Sequence, residues 1–106
     1  MSELINKLKS DLFKALGHPT RIGILELLKA EGELCVCDIY ENLDLSQSNI
    51  SQHLKILKEQ NIVSSYKDGV KVIYSLKDEQ ICDVLTTVEK MLIKQINETK
   101  MALKKD

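Results

Sequence analysis

Apolar positions recur at two different periods along this chain, and the change of period divides it into elements. From residue 3 to residue 16, Leu4, Ile5, Leu8, Leu12 and Leu16 return every three or four residues, the stripe of an amphipathic helix. Gly17-His18-Pro19 interrupts that stripe, and Pro19 suits the first turn of a second helix reaching about Ala30 on Ile22, Ile24, Leu25 and Leu28. Glu31-Gly32-Glu33 ends it, and a short third helix is predicted over Val36 to Leu43. Asp44-Leu45 makes a turn, and Ser46 is a good N-cap for a fourth helix over Gln47 to Gln60 with Ile50, Leu54 and Leu57 facing inward. Asn61 suits the left-handed position at its end. The period then falls to two. Val63 to Lys67 and Val70 to Ser75 alternate on either side of Asp68-Gly69, a strong hairpin-turn signal. From Asp78 to about Lys104 the helical period returns, on Ile81, Leu85, Val88, Leu92 and Ile96.

Helices, a tight helix-turn-helix, a hairpin and a closing helix describe a mostly α fold with a β-hairpin wing, a winged helix-turn-helix. One domain over residues 1–106 is expected, with the helix-turn-helix at about 36–60 and the wing at about 62–76. The first and last helices, about 3–16 and 78–104, carry more apolar surface than one small core can use, so they are expected to join a homodimer. No apolar run approaches the roughly 18 residues of a membrane span. The N-terminus, Met1 to Lys7, lacks the basic-then-apolar layout of a signal peptide, so a cytoplasmic protein with no membrane partner is expected.

Charge changes this picture only locally. The chain as a whole carries a formal net charge of −1, which does not advertise a nucleic-acid binder. Between Ser46 and Lys77, however, five lysines face only Glu59 and Asp68, a local balance of +3. Local charge decides phosphate contact more than the total does. A recognition helix sets its N-terminal residues against base edges in the major groove. Here those are Ser46, Gln47, Ser48, Asn49, Ser51, Gln52 and His53, polar groups with donors and acceptors and no acid among them. Gln and Asn can pair with adenine through two hydrogen bonds. Gln47, Ser48, Ser51 and Gln52 are the first choices for contacts; Lys55 and Lys58 would meet phosphates, and Lys67 and Lys71 flank the wing tip. The expected partner is double-stranded operator DNA with an inverted repeat, bound without any cofactor.

Three cysteines cannot all pair within one chain, and in a reducing cytoplasm they should be thiols. Cys35 and Cys37 form a CxC pair, an awkward disulfide because it closes a very small ring. Soft thiolates favour As(III), Sb(III), Cd(II), Pb(II), Cu(I) or Zn(II). Residues two apart on a regular helix point about 200° from each other, so either Cys35 lies ahead of the third helix or metal binding distorts its first turn. In both cases a metal on this pair would reshape the helix that packs on the recognition helix. Cys82, near the start of the last helix, is the one further thiol that could complete the site, within the chain or across the dimer; a small buried apolar residue is the better reading of it, and an exogenous thiol or water could fill the third position instead. His18 is better read as a helix-initiating polar residue than as a ligand.

With those residues in view the chain resembles the ArsR/SmtB family of metal-responsive repressors, in its arsenic-responsive branch. Ala15 to Leu25 resembles the family's second-helix signature, Glu33-Leu34-Cys35-Val36-Cys37-Asp38-Ile39 its thiol metal box, Leu45 to Leu54 its recognition helix, and the Asp68-Gly69 hairpin its wing. The resemblance implies a repressor released from its operator when As(III), Sb(III) or another thiophilic ion binds Cys35 and Cys37. Two departures stand against a simple transfer. Tyr40 occupies the place of a third cysteine, and the zinc-type positions on the last helix fall on Asp78, Gln80, Met91 and Lys94, of which only Asp78 could be a good ligand. Cadmium-type members add cysteines near the N-terminus, and none precedes Cys35. A thiol-redox or reactive-sulfur sensor using the same cysteines is the alternative. A thiol enzyme is the weaker third reading, since the chain has no CxxC, no nucleotide-binding loop and no paired acid and base.

Overall fold

The computed structural model describes residues 1–104. Five helices and three strands follow in the order α1 (Ser2–Leu16), α2 (Pro19–Glu31), β1 (Glu33–Cys35), α3 (Val36–Leu43), α4 (Gln47–Glu59), β2 (Val63–Asp68), β3 (Lys71–Leu76) and α5 (Gln80–Lys104). This is a winged helix-turn-helix, mostly helical with an antiparallel wing, as the periodicities predict. One element is new. Glu33 to Cys35, read from sequence as the end of the second helix and the run into the third, forms a short strand. It pairs with β3, placing Cys35 opposite Ile73, so the sheet has three antiparallel strands in the order β1-β3-β2. Three residues are too few for an alternating pattern to show itself.

Local chemistry sets the element ends. The His18 ring caps α2 by accepting the Thr20 N–H at 3.1 Å, with Pro19 in the first turn where its missing N–H costs nothing. Gly32 ends α2 at φ +87°, a conformation open to glycine. Asp44 takes the left-handed conformation between α3 and α4, and Asn61 takes it after α4. Ser46 Oγ accepts the Asn49 N–H at 3.1 Å and starts the recognition helix. The hairpin turn lies one residue later than the sequence suggests. Asp68 is paired with Lys71, so the two turn residues are Gly69 and Val70, and Gly69 supplies the positive φ that a tight hairpin of the II′ kind needs at its first position.

The core is built from the inward faces of α2, α3 and α4. Ile24, Leu25, Leu28, Ile39, Ile50, Leu54, Leu57 and Val63 are fully buried. Val63 at the start of β2 and Ile81 and Leu85 at the start of α5 close it. The two terminal helices contribute little: only Ala15 and Leu16 of α1, and Ile81 and Leu85 of α5, are buried. At 25 residues α5 is roughly 37 Å long. Most of it therefore projects beyond the core, with Val88, Leu92 and Ile96 about half exposed, as are Leu4, Leu8 and Phe13 of α1. An open apolar groove of about 670 Å³ runs between the helices, lined by Phe13, Leu16, Val88, Leu92 and Ile96 among others. Among the described residues no helix is long and apolar enough to cross a membrane.

Candidate nucleic-acid interface and thiol site

The outward face of α4, the candidate DNA-reading face, follows from its amphipathic pattern. Ile50, Leu54 and Leu57 point into the core, which turns Gln47, Ser48, Ser51, Gln52 and Lys55 outward; all five are exposed, as are Ser46 and Asn49 at the helix start. Ser46 Oγ also lies 3.3 Å from Ser48 Oγ. Lys58 is exposed farther along the same face of the helix. Its ammonium donates to Ser65 Oγ of β2 at 2.6 Å and ties the recognition helix to the wing. Lys67 and Lys71 are exposed near the wing tip, Lys67 opposite Val72 and Lys71 opposite Asp68.

His53 departs from the expected DNA face. Its Nδ1 lies 3.1 Å from Arg21 Nη1, and its ring centroid is 4.5 Å from that of His18. It is half-buried between α4 and the start of α2 rather than displayed beside Gln52. The i+3 spacing from Ile50 holds the clue, because it carries His53 toward the inward side of the helix. Desolvation lowers the His53 pKa, helped by the neighbouring positive charges of His18 and Arg21.

The thiol pair is brought together by a break in the helix. Cys35 is the last residue of β1 and the N-cap of α3, in extended conformation at φ −73° and ψ 159°. The opposed directions of a regular helix therefore do not apply. With Cα atoms 5.3 Å apart, Cys35 and Cys37 turn their sulfurs to one side, where they are bonded as a disulfide. Two sulfurs only two residues apart can meet because of the strand-to-helix junction. Cys35 Sγ also accepts the Asp38 N–H at 3.2 Å, in the first turn of α3.

Asp38, which sequence reading passed over as a ligand, joins this group. Ligand atoms of Cys35, Cys37 and Asp38 lie within 4.8 Å of one another, so two sulfurs and a carboxylate oxygen could hold one thiophilic ion. An acid directly after the second cysteine, in the first turn of a helix, is the signal that could have found it. Cys82 is elsewhere. It packs against the core from α5 and lines a different cavity, with Lys29, Glu33 and Asp83. The chain thus assembles Cys35, Cys37 and Asp38, and does not bring Cys82 to them.

The cavity beside the thiol pair measures about 360 Å³. Cys35, Cys37 and Tyr40 form one wall, Gln47 and Ser51 of the recognition helix another, and Lys71 and Val72 of the wing a third. The sulfurs thus share one space with outward residues of α4 and with the wing. The wing is fastened to the same strand by Tyr66, whose hydroxyl donates to Glu33 Oε2 at 2.9 Å. That bond to a carboxylate is the main reason the Tyr66 pKa is raised.

Residues 18–65, which hold α2, the thiol pair, the helix-turn-helix and the start of the wing, match the model of the arsR family of bacterial regulatory proteins. The chain is 38% identical to the arsenical resistance operon repressor of Bacillus subtilis, over 80% of each chain. It is also 38% identical to a cadmium resistance regulatory protein of Staphylococcus aureus, a CadC homolog, over 86% of this chain and 82% of that one. This chain belongs to the arsR family. Its fold superimposes on the crystal structure of Mycobacterium tuberculosis Rv0081 with a TM-score of 0.80 at 36% identity, covering 89% of this chain and 94% of that one. As an arsR-family member it is a DNA-binding transcriptional regulator, and a resemblance first seen in short motifs extends over most of the chain.

Proposed function

We propose that this chain is a homodimeric repressor whose inducer is a soft metal or metalloid, As(III) or Sb(III) foremost, held by Cys35 and Cys37. The observation that carries the reading is the shared cavity: the two sulfurs open onto the same space as Gln47, Ser51 and the wing lysine Lys71. An ion bound there changes the conformation of the Cys35–Asp38 junction. That junction is at once the end of a strand paired with the wing and the cap of the helix packed on α4. Binding therefore biases both DNA-contacting elements together, which is what coupling between two sites requires. Arsenical and cadmium resistance regulators among the relatives support the choice of soft ions. Asp38 or an exogenous ligand supplies the third donor for a pyramidal ion, and Cys82 is not needed.

In this proposal the DNA face comprises Ser46, Gln47, Ser48, Asn49, Ser51, Gln52, Lys55, Lys67 and Lys71, with Lys58 bracing the wing. A second copy covers the apolar faces of α1 and α5 and sets two recognition helices on an inverted repeat. The test is release of a labelled operator duplex from the reduced protein, titrated with arsenite, antimonite, Cd(II) and Zn(II). Arsenite that leaves the complex intact while another ion dissolves it would reassign the inducer. No release by any soft ion would sink the metal reading.

The adjacency of the two sulfurs favours a second reading, a thiol-disulfide sensor. Oxidation would join Cys35 and Cys37 as two electrons and two protons pass to a peroxide, yielding water. Release by peroxide in the presence of a chelator, reversed by dithiothreitol, would select it.

A further inference from the structure

Outside the thiol site, one side-chain cluster has no part in the proposed DNA contacts. Arg21, in the first turn of α2, reaches three groups at once. Its Nε donates to the Ala15 carbonyl at 2.6 Å and its Nη2 to the Lys14 carbonyl at 3.3 Å, both at the C-terminal end of α1. Its Nη1 donates to His53 Nδ1 on α4 at 3.1 Å. A guanidinium keeps its protons, so His53 Nδ1 must be the acceptor and the imidazole proton must sit on Nε2. His18, which caps α2 through its own Nδ1, lies against the His53 ring. One charged fork and two imidazoles thus pin the recognition helix to the two helices behind it.

We propose that Arg21, His18 and His53 form a joint that positions the recognition helix, and that a proton on His53 opens it, so that DNA affinity falls in mild acid. Nε2 is already protonated, so the added proton can go only to Nδ1, the atom that accepts from Arg21. It removes the acceptor and sets a new positive charge facing Arg21 and His18, the two basic side chains at the start of α2; on α1 the Ala15 and Lys14 carbonyls are already engaged by Arg21. Desolvation and these neighbours hold the His53 pKa below 6.5. The joint is therefore closed near neutrality and opens only as the medium acidifies. The sign is diagnostic. A histidine in direct contact with phosphate would strengthen DNA binding on protonation, because it would add a positive charge to the interface.

This inference rests on α4 being the DNA-reading helix, and the test separates the two ideas. Operator affinity is measured between about pH 7.5 and about pH 5.5, across the range in which histidine changes charge. The Cys35→Ser/Cys37→Ser background removes thiol chemistry. The parent should lose roughly tenfold or more in affinity, as expected when one charge-assisted hydrogen bond per protomer is lost. His53→Gln, whose amide oxygen can still accept from Arg21 but does not titrate, should bind like the parent near neutrality and stay nearly flat. His18→Asn, which retains a capping side chain, should keep the pH dependence. A parallel decline in His53→Gln, or tighter binding of the parent in acid, would overturn the proposal. In the free protein, NMR titration of the His53 ring should give a midpoint below 6.5 that rises in Arg21→Gln. A midpoint at or above 6.5 in the parent would overturn the joint. A parent that binds no duplex would strike the reading of α4, while the joint would still stand or fall on this midpoint.

Discussion

Lys67 offers the sharpest test of where DNA meets the wing. It is exposed near the end of β2, and among the described residues its ammonium makes no ion pair or side-chain hydrogen bond, so Lys67→Ala should leave the fold intact. Asp68 follows it in the strand and points to the opposite face, so it does not neutralise the lysine locally. If each protomer of a dimer sets Lys67 on one phosphate, the variant removes two contacts from the complex. Each contact contributes about 0.9 to the slope of log affinity against log salt, so the slope should flatten by about 1.8. Between about 50 and 200 mM salt, a fourfold change, that difference amounts to roughly tenfold in affinity. Fluorescence anisotropy on an operator and on a scrambled duplex, across a salt series, measures it directly. The variant should weaken both duplexes alike, because phosphate contacts carry no base information. An unchanged slope would place the wing off the backbone. A loss confined to the operator would make Lys67 a base reader, contrary to the argument.

Gln52→Ala should do the reverse, keeping the salt slope but relaxing base preference by about 1–3 kcal/mol per half-site, read from affinities for single-base operator variants. Cys35→Ser and Cys37→Ser should each bind operator like the parent yet fail to release it with arsenite, since a serine hydroxyl does not replace a thiolate; release at parental inducer concentrations would remove the thiol pair from the sensor. In the same assay Asp38→Asn should need more inducer and Cys82→Ser should respond normally; the opposite pattern would move the third ligand to α5. Val88→Glu with Leu92→Glu should yield a folded monomer by sedimentation, because both side chains lie on the half-exposed face of α5 outside the core. Stability should also follow His53: its neutral form is favoured by the fold, so the contribution is complete above the unfolded pKa of 6.5 and fades as pH falls through the lower folded value, and thermal unfolding of parent against His53→Gln should diverge in that direction.

Periodicity and capping residues determined most of this fold without reference to distant contacts. A helix shows its buried face every three or four residues, and the stripes on α1, α2, α4 and α5 are long enough to read. Ser46, Asn61 and Gly69 mark turns because each has a local reason to sit there: a hydroxyl that caps, a residue tolerant of positive φ, and a glycine that prefers it. The outward face of α4 was legible for the same reason, since fixing Ile50, Leu54 and Leu57 inward leaves Gln47, Ser51 and Gln52 exposed. Tertiary structure decided what no local pattern encodes. β1 is a strand only because β3 offers it hydrogen bonds. That pairing holds Cys35 extended, and the extended residue is what lets two sulfurs two positions apart face one another beside Asp38. Two polar residues of α4 also find partners that its own pattern does not announce: Lys58 donates to Ser65 on the wing, and half-buried His53 meets Arg21 on α2. Those partners lie 7 and 32 residues away in sequence, and only the folding of the chain brings them within hydrogen-bonding reach.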